Sequence, residues 1–187
     1  MLTTKKFTRL HRILHWTMAL AMPIMFITGF LRMFWMNKKT MVSIIESKTA
    51  AAPLPEELMS DIASSIREPM WEWHEIFANA MIVALVARFL YMLFKGIRFP
   101  NPFSKLPLKE RLQGFIYIYF YLFVTISAFT GICIQNHFFE QYEDQIEAIH
   151  KWGLYWFPIF IILHFCGIAV AEMTTKKGIT SKMIGGD

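Results

Sequence analysis

Charged residues are scarce in this chain. They make up 18% of its 187 residues, whereas hydrophobic residues make up 55% and the mean hydropathy is +0.38. Soluble domains of this length are more polar, so the shortage of charge excludes that class and favours an integral membrane protein. The formal net charge of +5 is therefore interpreted as an excess of basic residues that sets the topology of the chain in the membrane. We expect the surrounding partner to be membrane lipid. We expect no nucleic-acid partner, because no basic patch lies in a nucleic-acid-binding motif.

Cysteine is equally scarce. The two that occur, Cys133 and Cys166, lie far apart in apolar runs and form neither CxxC nor CxxCH. Their spacing excludes a disulfide scaffold, a structural zinc site and covalent c-type haem attachment. We interpret both cysteines as small apolar packing residues.

Long apolar runs account for most of the chain. Each reaches the roughly 20 residues that a helix needs to cross a bilayer, and they cover approximately 13–35, 71–94, 112–135 and 149–171. The first run is too long for a signal peptide and no small-residue cleavage site follows it, so we interpret it as a retained helix. The sequence therefore predicts an all-α integral membrane protein. We expect residues 1–187 to form a single domain, an antiparallel four-helix bundle.

The connections between these runs differ in charge. Residues 36–70 hold five acidic and four basic residues, and residues 136–148 hold four acidic residues and no Lys or Arg. The other extramembrane segments are basic, with Lys5, Lys6, Arg9, Arg12, Lys95, Arg98, Lys105, Lys109, Arg111, Lys176, Lys177 and Lys182. Because basic segments stay on the cytoplasmic side, both termini are predicted to be cytoplasmic. Residues 56–67 have an amphipathic pattern that predicts a short surface helix.

The main candidate functional residues of the sequence are histidines. His150 and His164 are 14 residues apart, so in one helix they share a face and lie roughly 21 Å apart along its axis. The predicted topology places His15 at the depth of His164, and His74 at the depth of His150. Ionisable residues inside membranes are rare and usually functional. Two imidazoles on facing helices can hold a haem, so the sequence predicts two haem b sites with His15–His164 and His74–His150 as axial pairs.

Three glycines accompany the histidines and are predicted to contact the cofactor. Gly153 and Gly167 each follow a histidine by three residues, and Gly29 follows His15 by 14. A glycine beside a ligand allows a planar ring to approach the backbone. The alternative is that these glycines promote helix packing.

Three arginines are candidates for contact with a bound cofactor. Arg88 lies 14 residues after His74, on the same face, while Arg32 and Arg12 lie near the two ends of the first helix. A buried arginine needs a partner, which a haem propionate or a bound quinone would supply. For Arg88 the alternative is that it extends to the nearby membrane surface.

The remaining histidines are predicted to have other roles. His11 and His137 are interpreted as interfacial or solvent-exposed, and His11 is in addition a candidate for contact with haem or quinone. The third apolar run contains no histidine and is interpreted as an aromatic packing helix.

These motifs resemble the prokaryotic cytochrome b561 family, which is related to the b-type cytochrome subunits of nickel-iron hydrogenases and formate dehydrogenases. The resemblance is carried by Ile-Leu-His-Trp at 13–16, Trp-His-Glu at 73–75 with Arg88 later, and the spacing of His150 and His164. It implies that the His15–His164 haem lies on the cytoplasmic side and the His74–His150 haem on the periplasmic side. It also implies exchange of electrons with membrane quinones.

The sequence thus favours a multi-pass dihaem b-type cytochrome that carries electrons across a bacterial inner membrane, between the quinone pool and a redox partner. Two versions stay open: a stand-alone quinone-linked oxidoreductase, and the cytochrome b anchor subunit of a hydrogenase- or formate-dehydrogenase-type complex. A histidine-based membrane transporter is an alternative of another class, although no inverted repeat supports it. A purely structural scaffold leaves the spacing of the histidines unexplained.

Overall fold

The computed structural model describes residues 7–96, 99–174 and 177–185. Within these ranges all regular structure is helical, and four helices are long and apolar enough to cross a membrane. The predicted all-α, four-helix membrane architecture is therefore confirmed. Four of the basic residues used to predict the orientation lie outside the described residues: Lys5, Lys6, Arg98 and Lys176.

The first long helix is capped by a threonine. α1 spans Arg9–Phe30, and the Oγ1 atom of Thr8 accepts a hydrogen bond from the backbone N–H of His11 (3.2 Å). This satisfies one of the free N–H groups of the first turn. The chain continues as a π-helical segment over Leu31–Trp35. A second, short helix, α2, follows over Lys38–Lys48 and has no counterpart among the predicted helices.

The second long helix begins earlier than the hydropathy predicts. α3 spans Glu56–Lys95, so residues 56–67 are not a separate surface helix but the first turns of this helix. α2 packs against α3, and Met59 and Ala63 in the extension are buried. This packing carries the helix past Pro69, which removes one backbone hydrogen bond. α3 ends at Gly96, whose φ of 62° is a left-handed conformation that glycine adopts without strain.

The last membrane-spanning segment contains one irregular residue. α4 spans Leu108–Gln135, directly after Pro107, and is followed by α5 over Glu143–Lys151 and α6 over Gly153–Met173. Only Trp152 separates α5 from α6. His150 therefore belongs to α5 and His164 to α6, within the single span that the sequence predicted for both; Trp152 itself stays in the right-handed helical region, with φ of −61° and ψ of −16°.

Both described chain ends lie at one end of the bundle, which we call the terminal end. A six-residue helix, α7 (Ile179–Ile184), lies against the start of α1. The Nη1 atom of Arg12 donates to the carbonyl of Ile184 (3.1 Å), and Nε1 of Trp16 donates to the carbonyl of Met183 (3.2 Å). The end of the bundle that carries α2 is called the opposite end.

The core lies between the four long helices. Its buried members come from α1, α3, α4 and α6: Leu14, Met18, Ala21, Met22, Met81, Ala84, Leu85, Val124, Trp156 and Phe157. Many large apolar side chains elsewhere are exposed, including Leu93 at 76% and Phe94 at 82%. Such a surface is stable in contact with lipid rather than water.

Candidate functional site

One histidine pair lies toward the terminal end. The rings of His15 on α1 and His164 on α6 have centroids 6.2 Å apart and planes inclined at 38°. Phe160 stacks on His164 at 5.4 Å, and Trp16 contacts His15 edge-on at 5.5 Å. Aromatic packing thus holds both rings of this pair.

The other histidine pair lies toward the opposite end. The rings of His74 on α3 and His150 on α5 have centroids 6.3 Å apart and planes inclined at 70°. Trp71, one turn before His74, stacks on its ring at 5.1 Å and 11°. The structure therefore brings together the same two pairs that the predicted depths had matched.

Both separations fit one metal ion held between two imidazoles. Two metal–nitrogen bonds of about 2 Å each, with the distance from each nitrogen to its ring centre, give roughly 6 Å between centroids. The described residues contain no cluster of three or more His, Cys, Asp or Glu side chains that could hold a metal ion. Two facing imidazoles are a donor set that would suit a planar cofactor carrying its own further ligands.

Thr28 of α1 holds the ring of His74. Its Oγ1 atom lies 2.7 Å from Nδ1 of His74, and it also donates toward the carbonyls of Ile24 and Met25, both at 2.9 Å. The side chain is buried, with 7% of its surface exposed. A buried hydroxyl needs such partners, so Thr28 is fixed in place and fixes the histidine in turn.

α4 holds the ring of His150. Its Nδ1 atom lies 3.1 Å from Oγ1 of Thr130 and 3.1 Å from the carbonyl oxygen of Ser127. A Cβ atom built on Gly131 would lie 3.1 Å from Cε1 of the ring, so the glycine allows the histidine to approach α4 closely. The third long helix was predicted only to pack, and this interpretation omitted its polar contacts with His150.

A sequence signal for these contacts exists in the form of a repeated Thr-Gly dipeptide. It occurs at Thr28-Gly29 on α1 and at Thr130-Gly131 on α4, each near the end of an otherwise apolar run. Among the residues that the structure describes, the two threonines are the only polar side chains classed as buried. The prediction used Gly29 alone and did not consider either threonine.

Two arginines lie near the His74–His150 pair. The guanidinium of Arg32 lies over the ring of Trp71, with Cζ 4.5 Å from the centroid, and Trp71 in turn stacks on His74. Arg67, which the sequence did not single out, lies one helical turn before Trp71 and therefore on the same face. Its Nε atom is buried and has no hydrogen-bond partner among the described residues. Both arginines can thus accept an anionic partner at this end.

The two arginines predicted for the terminal end have partners within the protein. Nε of Arg88 donates to the hydroxyl of Tyr121 (3.1 Å), and its Nη1 donates to the carbonyl of His11 (3.5 Å). Arg12 donates from Nη1 to α7, while its Nε is buried without a partner among the described residues. Arg88 is thus half-buried and reaches toward the start of α1.

The three predicted glycines make no close contact within the described chain. A Cβ atom at Gly29 would meet nothing within 4 Å, and at Gly153 and Gly167 the nearest atoms would lie at 3.8 and 4.0 Å. Close helix packing therefore does not explain these glycines. Their proposed contact with a cofactor remains a prediction.

The two other histidines belong to neither facing pair. His11 stacks on Phe7 at 5.0 Å and contacts Tyr91 edge-on at 6.0 Å. His137 is exposed in the turn after α4, with a φ of 52°. These positions agree with an interfacial residue at the terminal end and an exposed one at the opposite end.

The chain matches a known protein family over nearly its whole length. The model described as prokaryotic cytochrome b561 matches residues 6–186, nearly the whole chain. A comparison with curated proteins gave no significant match, and a comparison with solved structures gave none either. The resemblance predicted from the histidine motifs is therefore confirmed.

Proposed function

The chain belongs to the prokaryotic cytochrome b561 family, membrane proteins that transfer electrons through b-type haem, and on this premise we propose that it holds two such haems and carries electrons across a bacterial inner membrane. His15 and His164 would hold one haem, and His74 and His150 would hold the other. When bound, each haem supplies a one-electron Fe(III)/Fe(II) couple. The whole chain then acts as one dihaem domain.

The observation that carries this proposal is the pair of facing histidines at each end of the bundle. Their centroid separations of 6.2 and 6.3 Å both suit coordination of one iron between two imidazoles. Occupation of both axial positions leaves no open position for oxygen or substrate. The sites are therefore suited to electron transfer rather than to oxygen chemistry.

Between the two pairs, the side chains exclude water. Met18, Met22, Met81, Trp156 and Phe157 are buried there in one apolar cluster. A dry interior disfavours a change in charge at either iron unless counter-charges are supplied nearby. The protein thus separates the two redox centres from solvent while the four histidines hold them in fixed positions.

Arginines supply the counter-charges. We assign Arg32 and Arg67 to the carboxylates of the haem at the opposite end, supported by the unpartnered Nε of Arg67 and the contact of Arg32 with Trp71. Arg88 and Arg12 serve the haem at the terminal end. A guanidinium binds a carboxylate through charge-assisted, often paired, hydrogen bonds.

The charges of the connections support an orientation with the terminal end in the cytoplasm. The His15–His164 haem then lies on the cytoplasmic side and the His74–His150 haem on the periplasmic side. Membrane quinone is the proposed partner at one haem, and a redox protein or dehydrogenase subunit at the other. Co-purification of a larger subunit with iron–sulfur clusters would identify the chain as an anchor subunit rather than a stand-alone cytochrome.

A reduced-minus-oxidised visible spectrum of the purified protein, with pyridine haemochrome quantification, tests the proposal. We expect two b haems per chain with low-spin spectra. Alanine substitution at His15 or His74 removes one haem each, while His137→Ala retains both. A protein that stays colourless after supplementation with haem would contradict the proposal and favour a histidine-based transporter.

A further inference from the structure

We propose that Thr28 and Thr130 are positioning residues that tune the haem between His74 and His150, and that they do so through the Nδ1 atoms of the two ligands. Their hydroxyl groups and the carbonyl of Ser127 fix the tautomer and the orientation of both rings and lower the reduction potential of this haem. This inference rests on the proposed function, because it concerns a haem held by that pair.

The tautomer of His150 follows from its partners. The carbonyl oxygen of Ser127 can only accept a hydrogen bond, so Nδ1 of His150 must carry the hydrogen that bridges the 3.1 Å between them. In a neutral imidazole the other nitrogen, Nε2, then has the free lone pair. That nitrogen is the one able to bind iron.

The tautomer of His74 follows from the single proton of a hydroxyl group. Thr28 lies 2.9 Å from the carbonyls of both Ile24 and Met25, which accept its hydrogen. Its oxygen is therefore left to accept a hydrogen bond from Nδ1 of His74 at 2.7 Å. Nε2 of His74 is again the nitrogen with the free lone pair.

Thr130 repeats the arrangement of Thr28 on another helix. Its hydroxyl donates toward the carbonyls of Ile126 (2.8 Å) and Ser127 (3.1 Å), so its oxygen accepts from Nδ1 of His150, whose single hydrogen it shares with the Ser127 carbonyl. Each ligand of this pair is thus held by a buried threonine from a neighbouring long helix. Within the described part of the chain, His15 and His164 make ring contacts but no hydrogen bond of this kind.

A hydrogen bond donated by Nδ1 changes how strongly the histidine donates electrons to the iron. Loss of proton density at Nδ1 makes Nε2 a stronger electron donor, which stabilises ferric iron more than ferrous iron. The same bonds prevent rotation of the rings and keep their planes at 70°. Removal of the hydroxyl groups should therefore raise the potential of this haem and loosen the angle between its ligands.

Valine substitution removes each hydroxyl with little change of shape. We expect Thr28→Val, Thr130→Val and the double variant to retain two haems and to shift one of two waves to higher potential in a spectroscopic redox titration. For the double variant we expect about a tenfold change in the ferrous-to-ferric ratio, which is about 59 mV for a one-electron couple. The low-spin ferric electron paramagnetic resonance signal of that haem should change with it, and the other wave should not move.

Matched variants separate the hydroxyl from general disturbance. Thr125→Val makes the same change at an exposed position on α4 and should leave both waves unchanged. Thr28→Ser and Thr130→Ser retain the hydroxyl and should retain the wild-type potential. His74→Ala, which removes the haem concerned, identifies its wave.

Each outcome has a defined meaning. A wild-type protein without two haems contradicts the proposed function itself. Two haems in the wild type, with neither wave or both waves shifted by the valine variants, overturn the inference alone. If a valine variant loses one haem, the serine variant decides: a wild-type potential supports the role of the hydroxyl, and a shifted potential overturns it.

Discussion

The two histidine pairs have nearly the same separation but are held by different interactions. Aromatic side chains pack around His15 and His164, whereas His74 and His150 donate hydrogen bonds to groups on α1 and α4. The planes of the two pairs differ as well, at 38° and 70°. One bundle thus offers the same ligand set in two environments, which gives it a means to place two redox centres at different potentials.

The largest expected effect comes from removal of a ligand. His150→Ala should abolish the haem at the opposite end and leave the other, and His164→Ala should do the reverse, so each variant retains roughly half of the haem. Pyridine haemochrome quantification measures the content, and the remaining redox wave shows which site survives. Loss of both haems from either variant would show that the two sites do not form independently.

A substitution at Gly131 should affect only one site. A side chain there would crowd the ring of His150, since even a Cβ atom would lie 3.1 Å from Cε1. We expect Gly131→Val to destabilise that site by about 1–3 kcal/mol, the range of overpacked interiors, and to lower its haem occupancy.

Thr125→Val is the control for this change, because it places the same side chain at an exposed position on the same helix. Haem content and thermal unfolding of the two variants give the comparison. Equal losses in both would contradict a specific role for Gly131.

The ligand planes predict two different ferric signals in the wild-type protein. When two axial imidazole planes cross at a large angle, two iron d orbitals become nearly equal in energy and the low-spin signal becomes strongly anisotropic. We expect such a signal from the His74–His150 haem, at 70°, and a more ordinary rhombic signal from the His15–His164 haem, at 38°. Electron paramagnetic resonance of His164→Ala and His74→Ala assigns each signal; the reverse assignment would disprove this difference between the sites.

The smallest expected effect concerns the aromatic support of the terminal-end pair. Phe160→Leu removes the ring stacked on His164 and should cost about 1 kcal/mol, as for other aromatic pairs. A modest fall in thermal stability with a small change in the potential of that haem alone is expected. A shift confined to the other haem would contradict the assignment of Phe160 to this site.

The long membrane helices could be predicted because the bilayer sets their length. The extension of α3 could not be predicted, since residues 56–67 are polar and Pro69 separates them from the apolar run. The helical conformation of these residues depends on packing against α2. The irregular turn at Trp152 was also not predicted, because one residue outside the helical pattern leaves hydropathy unchanged.

The candidate site could likewise be predicted only in part from the sequence. The histidine pairs followed from depth, which the chain order of a membrane bundle determines. The contacts of Thr28, Thr130 and Arg67 could not be predicted from depth. The neighbour that a side chain contacts depends on how each helix is rotated about its axis. Depth is encoded along one helix, whereas rotation is fixed only when several helices pack together.

The single span that carries both His150 and His164 has a consequence for how the two ligand positions are coupled mechanically. Only Trp152 departs from the regular helical pattern between them, and its φ of −61° and ψ of −16° stay in the right-handed helical region. Any sliding or rolling of this span at one end is therefore transmitted to the other. The two ligand positions thus move together, and the spacing of the two redox centres is set by one element of the chain.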